Sequence, residues 1–546
     1  MKTLHNTVTY ARFLRTLPAF LGQRLDPVAC LEIVRERLEN REEHFLSIAR
    51  DHVYGNPSSP YRRMLEVAGC EEGDLKSLVR DRGLHDALRD LRAAGVYVTF
   101  EEFKGRAPLV RDGVEIPCEP DSFDNPTKTK YYQTSTGGST GAGRTVNIDA
   151  QYMMDGAIEQ CAFRSIQGFS DIPCAMWMDG LPGPGAGIVI KRIIAGGMPL
   201  RWFSPVHAGD SRPPAKFRWA EKGMLLTARL AGHRFPSPEP LPLDRADVVV
   251  RWLRNTLDEH GKAGLNTGVS RALRVALVAQ DLGIDLAGTT VFTGGEPPTD
   301  AKVAAIEGAG MRFTAAYHFT EAGLIAPPCT NPASYDELHF AAHKLELVQF
   351  PRVLEGSGET VHSFHYTSLI GSTPKILFNT EIDDYGIVFE RPCGCPLEKL
   401  GLVRHIRQIR SFSKLTGEGV TLVGSDMEHV LEHVLPARFG GTALDYQLLE
   451  EEDERGFTRL SVVVSPRVNL SDEGEVISTV LDALARGETD AVVSTKMWEE
   501  ASTFRVKRTE PVWTSRGKLH PLHVRSRTRS AASADGAVGS HESVGA

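Results

Sequence analysis

Apolar residues recur at helical spacing through the first hundred positions. In DPVACLEIVRERLENREEHFLSIARD, Leu31, Val34, Leu38, Phe45, Leu46 and Ile48 mark one face, and charged residues fill the other. EEGDLKSLVRDRGLHDALRDLRAAG continues the pattern and stops at Gly95. A helical lead-in over residues 1–100 is predicted.

From there to about residue 410 strand-like and helix-like runs alternate, which predicts an α/β core. RADVVVRWLRNT reads as a helix, and ALRVALVAQDLGID is ambiguous between helix and strand. GTTVFTGGEPP reads as a buried strand entering a turn, DAKVAAIEGAG as a helix, and MRFTAAYHFTEAG as a strand ending in a loop. Two polar loops thus fall at strand C-termini, where open α/β sheets bind ligands. Further on, GFTRLSVVVSPRV reads as a strand and EGEVISTVLDALARG as a helix, so a second, small α/β domain is expected. The expected division is a large domain over 1–409, a small one over 410–524, and a Ser/Ala/Gly-rich disordered tail over 525–546.

Length agrees with more than one core, since 546 residues exceed what a single core organises. Hydrophobic content of 41% and charged content of 24% are those of a soluble globular protein. The net charge of -8 argues against a nucleic-acid partner. No apolar run is long enough to span a bilayer, so no membrane partner is expected. The first residues, interrupted by Arg12, Arg15 and Pro18, do not read as a signal peptide, and a cytoplasmic location is the expectation. Eight cysteines are too sparse for a disulfide scaffold. Cys30, Cys70, Cys118, Cys161 and Cys174 are scattered and read as buried apolar residues.

Four segments carry candidate chemistry: STGGSTGAGRT (Ser135 to Thr145), TGGEPP (Thr293 to Pro298), YHFTEAG (Tyr317 to Gly323) and TSRGKLHPL (Thr514 to Leu522). The first fits the hydrolase P-loop from Gly138 with Arg144 in place of Lys, but a P-loop follows an apolar strand and TKTKYYQ is not one. HVLEH, His429 to His433, fits a zinc-protease pattern. Its helix has an apolar face of Met427, Val430, Leu431 and Val434 that leaves both histidines outside, which argues against that site.

Taken in order, the four segments resemble the adenylate-forming superfamily, and most closely its phenylacetate-CoA ligase branch. The phosphate loop is matched by Gly138, Ser139, Thr140, Gly141 and Arg144, and the family's Y-G-x-T-E by Tyr317-His318-Phe319-Thr320-Glu321. IRSFSKLTGEGVTLVGSDME resembles the family's hinge, with Arg410, Gly419 and Glu428 on matching positions, and Ser515-Arg516-Gly517-Lys518 resembles its catalytic-lysine loop. The likeness runs in order from about residue 50 to 524 and is faint between the motifs.

The resemblance implies a large multi-sheet α/β domain, a small mobile C-terminal lid, and ATP and Mg2+ as cofactors. Ser139, Thr140 and Arg144 would cradle the triphosphate, Arg144 keeping the charge of the usual Lys and adding a bidentate fork. Glu321 would hold magnesium, Thr320 would contact the α-phosphate, and Tyr317 would stack on adenine beside Gly294, Gly295 and Glu296. The ribose carboxylate is Asp383 or Asp384, with Asp383 preferred; Arg410 would bind ribose or phosphate. Lys518 would bridge the attacking carboxylate and the α-phosphate in the transition state, and a hinge near Ser413 would then withdraw it.

Some members of that branch carry structural zinc, and Cys329, His339, Cys393 and Cys395 match its ligand set, with His343 competing for the imidazole place. His318 stands where the family has a glycine lining the acyl pocket, so a short, polar or amine-bearing substrate is expected. The implied activity is AMP-forming activation of a small-molecule carboxylic acid, an aryl acid among the options. The acceptor is CoA, a carrier-protein thiol or an amine. One alternative activates another oxyanion, such as nitrite, for transfer to an aryl amine. Another is an inactive nucleotide binder, against which the presence of both Glu321 and Lys518 argues. The oligomeric state, monomer or homodimer, stays open.

Overall fold

The computed structural model describes residues 2–126, 132–135, 145–178, 180, 185–197, 201–205, 215–233, 235–295, 297–353, 360–411, 416–417, 420–421, 427, 429–452, 458–485, 504–513, 519 and 522–524. Helices run through the lead-in from Lys2–Leu21 to Phe100–Phe103. Their ends follow local chemistry. Asp26 accepts from the Ala29 N–H at 2.9 Å with Pro27 in the first turn. Glu71 and Asp74 form a reciprocal capping box. The lead-in is no appendage: Val34, Phe45, Leu65 and Leu88 belong to the main core together with Leu265, Val291, Phe364 and Phe378. Tyr61 donates its hydroxyl to the Ile376 carbonyl at 3.0 Å, fixing a lead-in helix to the sheets behind it.

The central sheet has seven strands: β1 (Cys174–Trp177), β2 (Arg201–Ser204), β3 (Pro238–Pro240), β4 (Ala263–Thr267), β5 (Thr289–Gly294), β6 (Arg312–Phe319) and β7 (Gly323–Ala326). Their order is β7-β6-β5-β4-β1-β2-β3, parallel throughout except for β6 with β7. Strands β1 and β4 are nearly continuously buried, as parallel strands covered on both faces must be. Helices α1 (Ala150–Ile166), α2 (Gly185–Ile194), α3 (Val269–Asp281) and α4 (Asp300–Gly308) accompany the sheet. The ambiguous segment is α3: Ala272, Val275, Ala276 and Ala279 are buried at i, i+3, i+4 and i+7.

A second sheet of five antiparallel strands comprises β8 (Leu338–His339), β9 (Leu345–Val353), β10 (Thr360–Ser368), β11 (Thr380–Glu390) and β12 (Arg404–Ser411), in the order β8-β12-β11-β10-β9. A third, four-stranded sheet comprises β13 (Tyr446–Glu452), β14 (Thr458–Val464), β15 (Phe504–Arg508) and β16 (Leu522–Val524), in the order β15-β14-β13-β16. Its core is separate: Met427, Val430, Leu431, Leu448, Val462 and Val476 pack together. The chain is therefore a mixed α/β protein with several sheets. Among the described residues no helix is long and apolar enough to cross a membrane.

Candidate functional site

Strands β5 and β6 run parallel, with Gly294 opposite Ala316, so the loops after both strands emerge at one sheet edge. Glycine eases a close approach there: a Cβ on Gly294 would lie 3.0 Å from the Ala316 carbonyl oxygen. Gly295 follows with φ of 80°, in the left-handed region. On β6 a register shift falls between Tyr317 and His318, and such irregularities re-aim side chains.

Tyr317 and Phe319 face the second sheet. Phe319 packs against Tyr366, with ring centroids 5.1 Å apart, and the Tyr317 hydroxyl donates to Asp384 Oδ2. Burial and the Asp384 carboxylate push the Tyr317 phenol well above its ordinary range. The Ser411 hydroxyl lies 3.0 Å from Asp384 Oδ1 and 3.2 Å from Asp383 Oδ2. Arg410 sits opposite Tyr385 on the neighbouring strand. Tyr317, Asp383, Asp384 and Arg410 are thus gathered at one place, and it is Asp384, the less favoured choice of the sequence, that touches Tyr317.

Thr320 follows β6 in a turn, and Glu321 is buried beside it. The Glu321 carboxylate is held by Lys104, whose Nζ is 3.1 Å from Oε1. Lys104 in turn lies over the Phe103 ring, 5.1 Å from its centroid. The sequence offered no signal for Lys104, a single lysine after a one-turn helix.

His318 faces the helices instead. A Cβ on Gly294 would be 3.7 Å from its Nδ1, and the ring stays exposed although protein surrounds it, as at the floor of a cleft. Burial first, then the nearby ammonium groups of Lys191 and Lys344, push its pKa down to about 4. Behind it, Glu159 of α1 accepts from His343 Nε2 at 2.9 Å and from Lys344 Nζ at 2.8 Å. His343 is therefore engaged with Glu159, away from the cysteines.

The cysteine cluster forms where β7, β8, β12 and the Cys393-Gly394-Cys395 turn meet. His339 Nδ1 donates to the Leu402 carbonyl at 2.6 Å, which leaves Nε2 as the free lone pair. That Nε2 lies 3.0 Å from Cys395 Sγ and 3.6 Å from Cys393 Sγ. Donor atoms of Cys329, His339, Cys393 and His405 all lie within 4.8 Å of one another. A hydrogen bond from Cys329, and then His339, favours the Cys395 thiolate, while Cys329 is pushed up correspondingly. His405, opposite His339 in β12, belongs to no motif; its Nε2 lies 3.4 Å from Glu337 Oε1, and neither ring nitrogen makes a hydrogen bond among the described residues. Three buried thiols and an imidazole of fixed tautomer suit a closed tetrahedral metal site.

The chain beside the Ser515–Lys518 segment reaches the same sheet edge. Leu519 packs with Leu273 of α3 and with Leu444, and Ser270 Oγ is 3.5 Å from the Leu519 carbonyl. Ser270 stands three residues beyond Thr267, which pairs with Thr293 of β5. Arg274 lies over the Trp513 ring at 3.7 Å. Gly138, Ser139, Thr140, Gly141, Arg144, Glu296, Ser413, Gly419, Glu428 and Lys518 lie outside the described residues. The strands flanking the glycine loop, Tyr132–Ser135 and Thr145–Ile148, form an antiparallel hairpin apart from the parallel sheet, unlike a hydrolase P-loop. A cavity of about 600 Å³ lies elsewhere, among lead-in helices around Arg41, Arg82 and His85, and contains none of these groups.

No protein-family model and no curated protein matches the sequence. Among solved structures, a 2-hydroxyisobutyryl-CoA ligase in complex with 2-HIB-AMP and CoA is similar over 90% of both chains, at 15% identity and a TM-score of 0.45. The anthranilate CoA ligase AuaEII in complex with anthranoyl-AMP is similar over 72% of this chain and 66% of its own, at 12% identity and a TM-score of 0.42. The amide bond synthetase McbA from Marinactinospora thermotolerans is similar over 91% of this chain and 98% of its own, at 12% identity and a TM-score of 0.41.

Proposed function

We propose that this chain is an ATP-dependent, AMP-forming ligase of the phenylacetate-CoA ligase type, which activates a small carboxylic acid as its acyl-adenylate. One observation carries the reading. Gly294-Gly295, Tyr317 with Asp384, Thr320-Glu321 and the chain flanking Lys518 converge on one edge of a parallel sheet.

The acid's carboxylate oxygen attacks the α-phosphorus of ATP, the bond to the bridging oxygen breaks, and pyrophosphate leaves. Both reactants are anionic, so the site must supply positive charge as they meet. The glycine loop and Arg144 would hold the triphosphate, and Lys518 would bridge the two reacting groups. Tyr317 and the Gly294-Gly295 turn would flank adenine, with Asp384 or Asp383 on the ribose and Arg410 beside it. Magnesium would neutralise phosphate charge; Glu321 suits it as a buried carboxylate at the strand end, with Lys104 on Oε1. Residues 410–524 would act as the lid that presents Lys518 and then withdraws it. A thiol of CoA or of a carrier protein, or an amine, then attacks the acyl carbon and releases AMP. Cys329, His339 and Cys393 of the clustered donors, with Cys395 3.0 Å from His339 Nε2, would hold a structural zinc that ties the loop after Glu321 to the segment before β12.

The test is pyrophosphate release from ATP across an acid panel, with the Lys518→Ala variant alongside. Release with at least one acid, lost in the variant while ATP still binds, is the expected result. Release with nitrite and no acid would move the reading to another oxyanion. No release at all, with AMP bound, would leave a nucleotide binder.

A further inference from the structure

One stripe of α1 departs from the apolar pattern of a core helix. Tyr152, Gly156 and Glu159 follow one another at i, i+4 and i+7, so they share a face. Tyr152 lies against the turn after Glu321: a Cβ on Gly323 would be 2.9 Å from its hydroxyl oxygen. Gly156 makes room for Lys191 of α2, since a Cβ there would be 2.8 Å from Lys191 Cδ and 3.4 Å from Nζ. Glu159 is the only buried carboxylate of this stripe among the described residues.

The charges along that stripe do not balance. Lys344 and His343 both bond Glu159. Asp155, the next carboxylate on the helix, is matched by Arg37 at 2.7 Å. Burial drives both His343 and His318 toward their neutral forms. One positive charge is left over, on Lys191. Among the described residues its ammonium makes no hydrogen bond and no ion pair, although Glu159 and Lys344 both act on it electrostatically. Burial lowers its pKa to about 8, so it remains mostly charged at neutral pH. Lys191 is half-buried, so its ammonium is partly stripped of water, and an anion brought to it recovers part of that cost.

The cleft decides which anion. His318 lies between the sheet edge and Lys191 and feels the Lys191 charge. Tyr317 and Phe319 face the opposite side, toward Asp384 and Tyr366. Lys191 is therefore reached from the reacting edge by passing His318, on the side away from Asp384. Lys191 meets α1 at Gly156, about 6 Å along the helix from Tyr152, which touches the turn after Glu321, so an anion on Lys191 lies beyond that turn.

Resting on the ligase reading above, we infer that the acid taken by this site carries a second anionic group, remote from the carboxylate to be activated, which pairs with Lys191. Such remote binding also selects, because an acid lacking the second anion leaves the half-buried Lys191 without an ion pair among the described residues. His318, neutral and open to the cleft, would line the path between the two ends.

The test uses the full chain, ATP and matched acids differing only at the far end, such as pentanoate against glutarate and benzoate against isophthalate. Pyrophosphate release should favour the diacid of the fitting pair by about 10- to 100-fold in kcat/KM, the worth of one charge-assisted hydrogen bond. Lys191→Met, which keeps the length of the side chain, should bring that ratio near one, and Lys191→Arg should keep it. A ratio that favours the monoacid, or one that survives Lys191→Met, overturns the inference. A second arm needs no turnover: diacids should raise the unfolding temperature of the wild type and not of Lys191→Met. Diacid protection that depends on Lys191, with no pyrophosphate from any acid, keeps the pocket and removes the ligase reading. Neither preference nor Lys191-dependent protection across the panel removes the pocket.

Discussion

Lys302 of α4 and Glu432 form an ion pair between the segment that follows the central sheet edge and the separate C-terminal core. Nζ to Oε1 is 3.0 Å, both side chains are 3% exposed, and the Thr299 hydroxyl donates to the other carboxylate oxygen. Removing one partner strands a buried charge, at a cost of about 3–5 kcal/mol. Glu432→Gln should lower stability to urea by that order, and Lys302→Met with Glu432→Leu should recover most of the loss. A loss under about 1 kcal/mol in the single variant would mean that the pair behaves as a hydrated surface contact. The same pair engages the carboxylate of HVLEH: Glu432 faces Lys302, and His429 and His433 stack on each other with centroids 5.1 Å apart.

A second pairing lies nearer the chemistry. Lys104 neutralises Glu321, so it opposes binding of any cation that Glu321 holds. Lys104→Met should lower the magnesium concentration that half-saturates pyrophosphate release. Glu321→Gln should cut the rate by about 100- to 1,000-fold, as expected for loss of one preorganised electrostatic element. A magnesium titration on each variant reads both effects. A rate unaffected by Glu321→Gln would take Glu321 out of the site.

Much of this arrangement is legible in the sequence because it is local. The glycine turn after β5 and the Tyr317–Glu321 segment after β6 lie at strand ends, and strand ends follow from apolar runs. What the sequence leaves open needs a third dimension. His339 and His343 compete on paper, and only the reach of Glu159 from α1 settles which of them is free for the cysteines. Asp384 rather than Asp383 meets Tyr317 because the strand pairing fixes which of two adjacent carboxylates turns inward. Lys104, Lys191 and His405 carry no motif; each is a single polar residue whose meaning comes from a neighbour far along the chain. The helix around Val430–Val434 is apolar on the face expected, but its π-type winding is not visible in residue spacing.

The thiol cluster makes a compositional prediction. Purified protein should hold about one zinc per chain, closed by three thiolates and one imidazole. Cys395→Ser should lower both metal content and melting temperature, since Cys395 Sγ lies 3.0 Å from His339 Nε2. His405→Ala should retain the metal if Cys329, His339, Cys393 and Cys395 complete the set. Elemental analysis of the three proteins decides the ligand set, and metal-free wild type of unchanged stability would rule the site out.

Acid sensitivity follows from buried histidines. His365 is 1% exposed, hydrogen-bonded near Ser363 and the Asn379 carbonyl, and held down to about 3 by burial and then by Arg92. Its folded pKa lies below the unfolded value of about 6.5, so the unfolded chain binds the extra proton between the two. The stability it confers is complete above about pH 6.5 and is lost as pH falls toward 3. Glu159 and Glu346, both held at about 2, add their own losses only below about pH 4.5. Between pH 6.5 and 4.5 the histidines therefore dominate, and each contributes a slope of up to about 1.4 kcal/mol per pH unit. His365→Gln should flatten urea-derived stability in that window; an unchanged slope would assign the acid loss to other groups.

His318 offers the most direct handle on substrate choice. It stands where the resembling family has glycine, its ring is exposed to the cleft, and a Cβ on Gly294 would come within 3.7 Å of it. Removing the ring should enlarge the cleft in front of Lys191 without disturbing Tyr317, which is bonded on the opposite side to Asp384. His318→Gly should therefore shift the ranking of acids toward bulkier ones, by about tenfold or more in relative kcat/KM, a size typical of one extra group admitted to a pocket. The apparent affinity for ATP should stay close to that of the wild type, because the nucleotide side of β6 is untouched. Competition between a short and a bulky acid in one reaction, read by mass spectrometry of the adenylates, measures the ratio directly. An unchanged ranking would mean that the ring does not face the substrate. A changed ranking with weakened ATP binding would mean that the change reached Tyr317 through the register shift between residues 317 and 318.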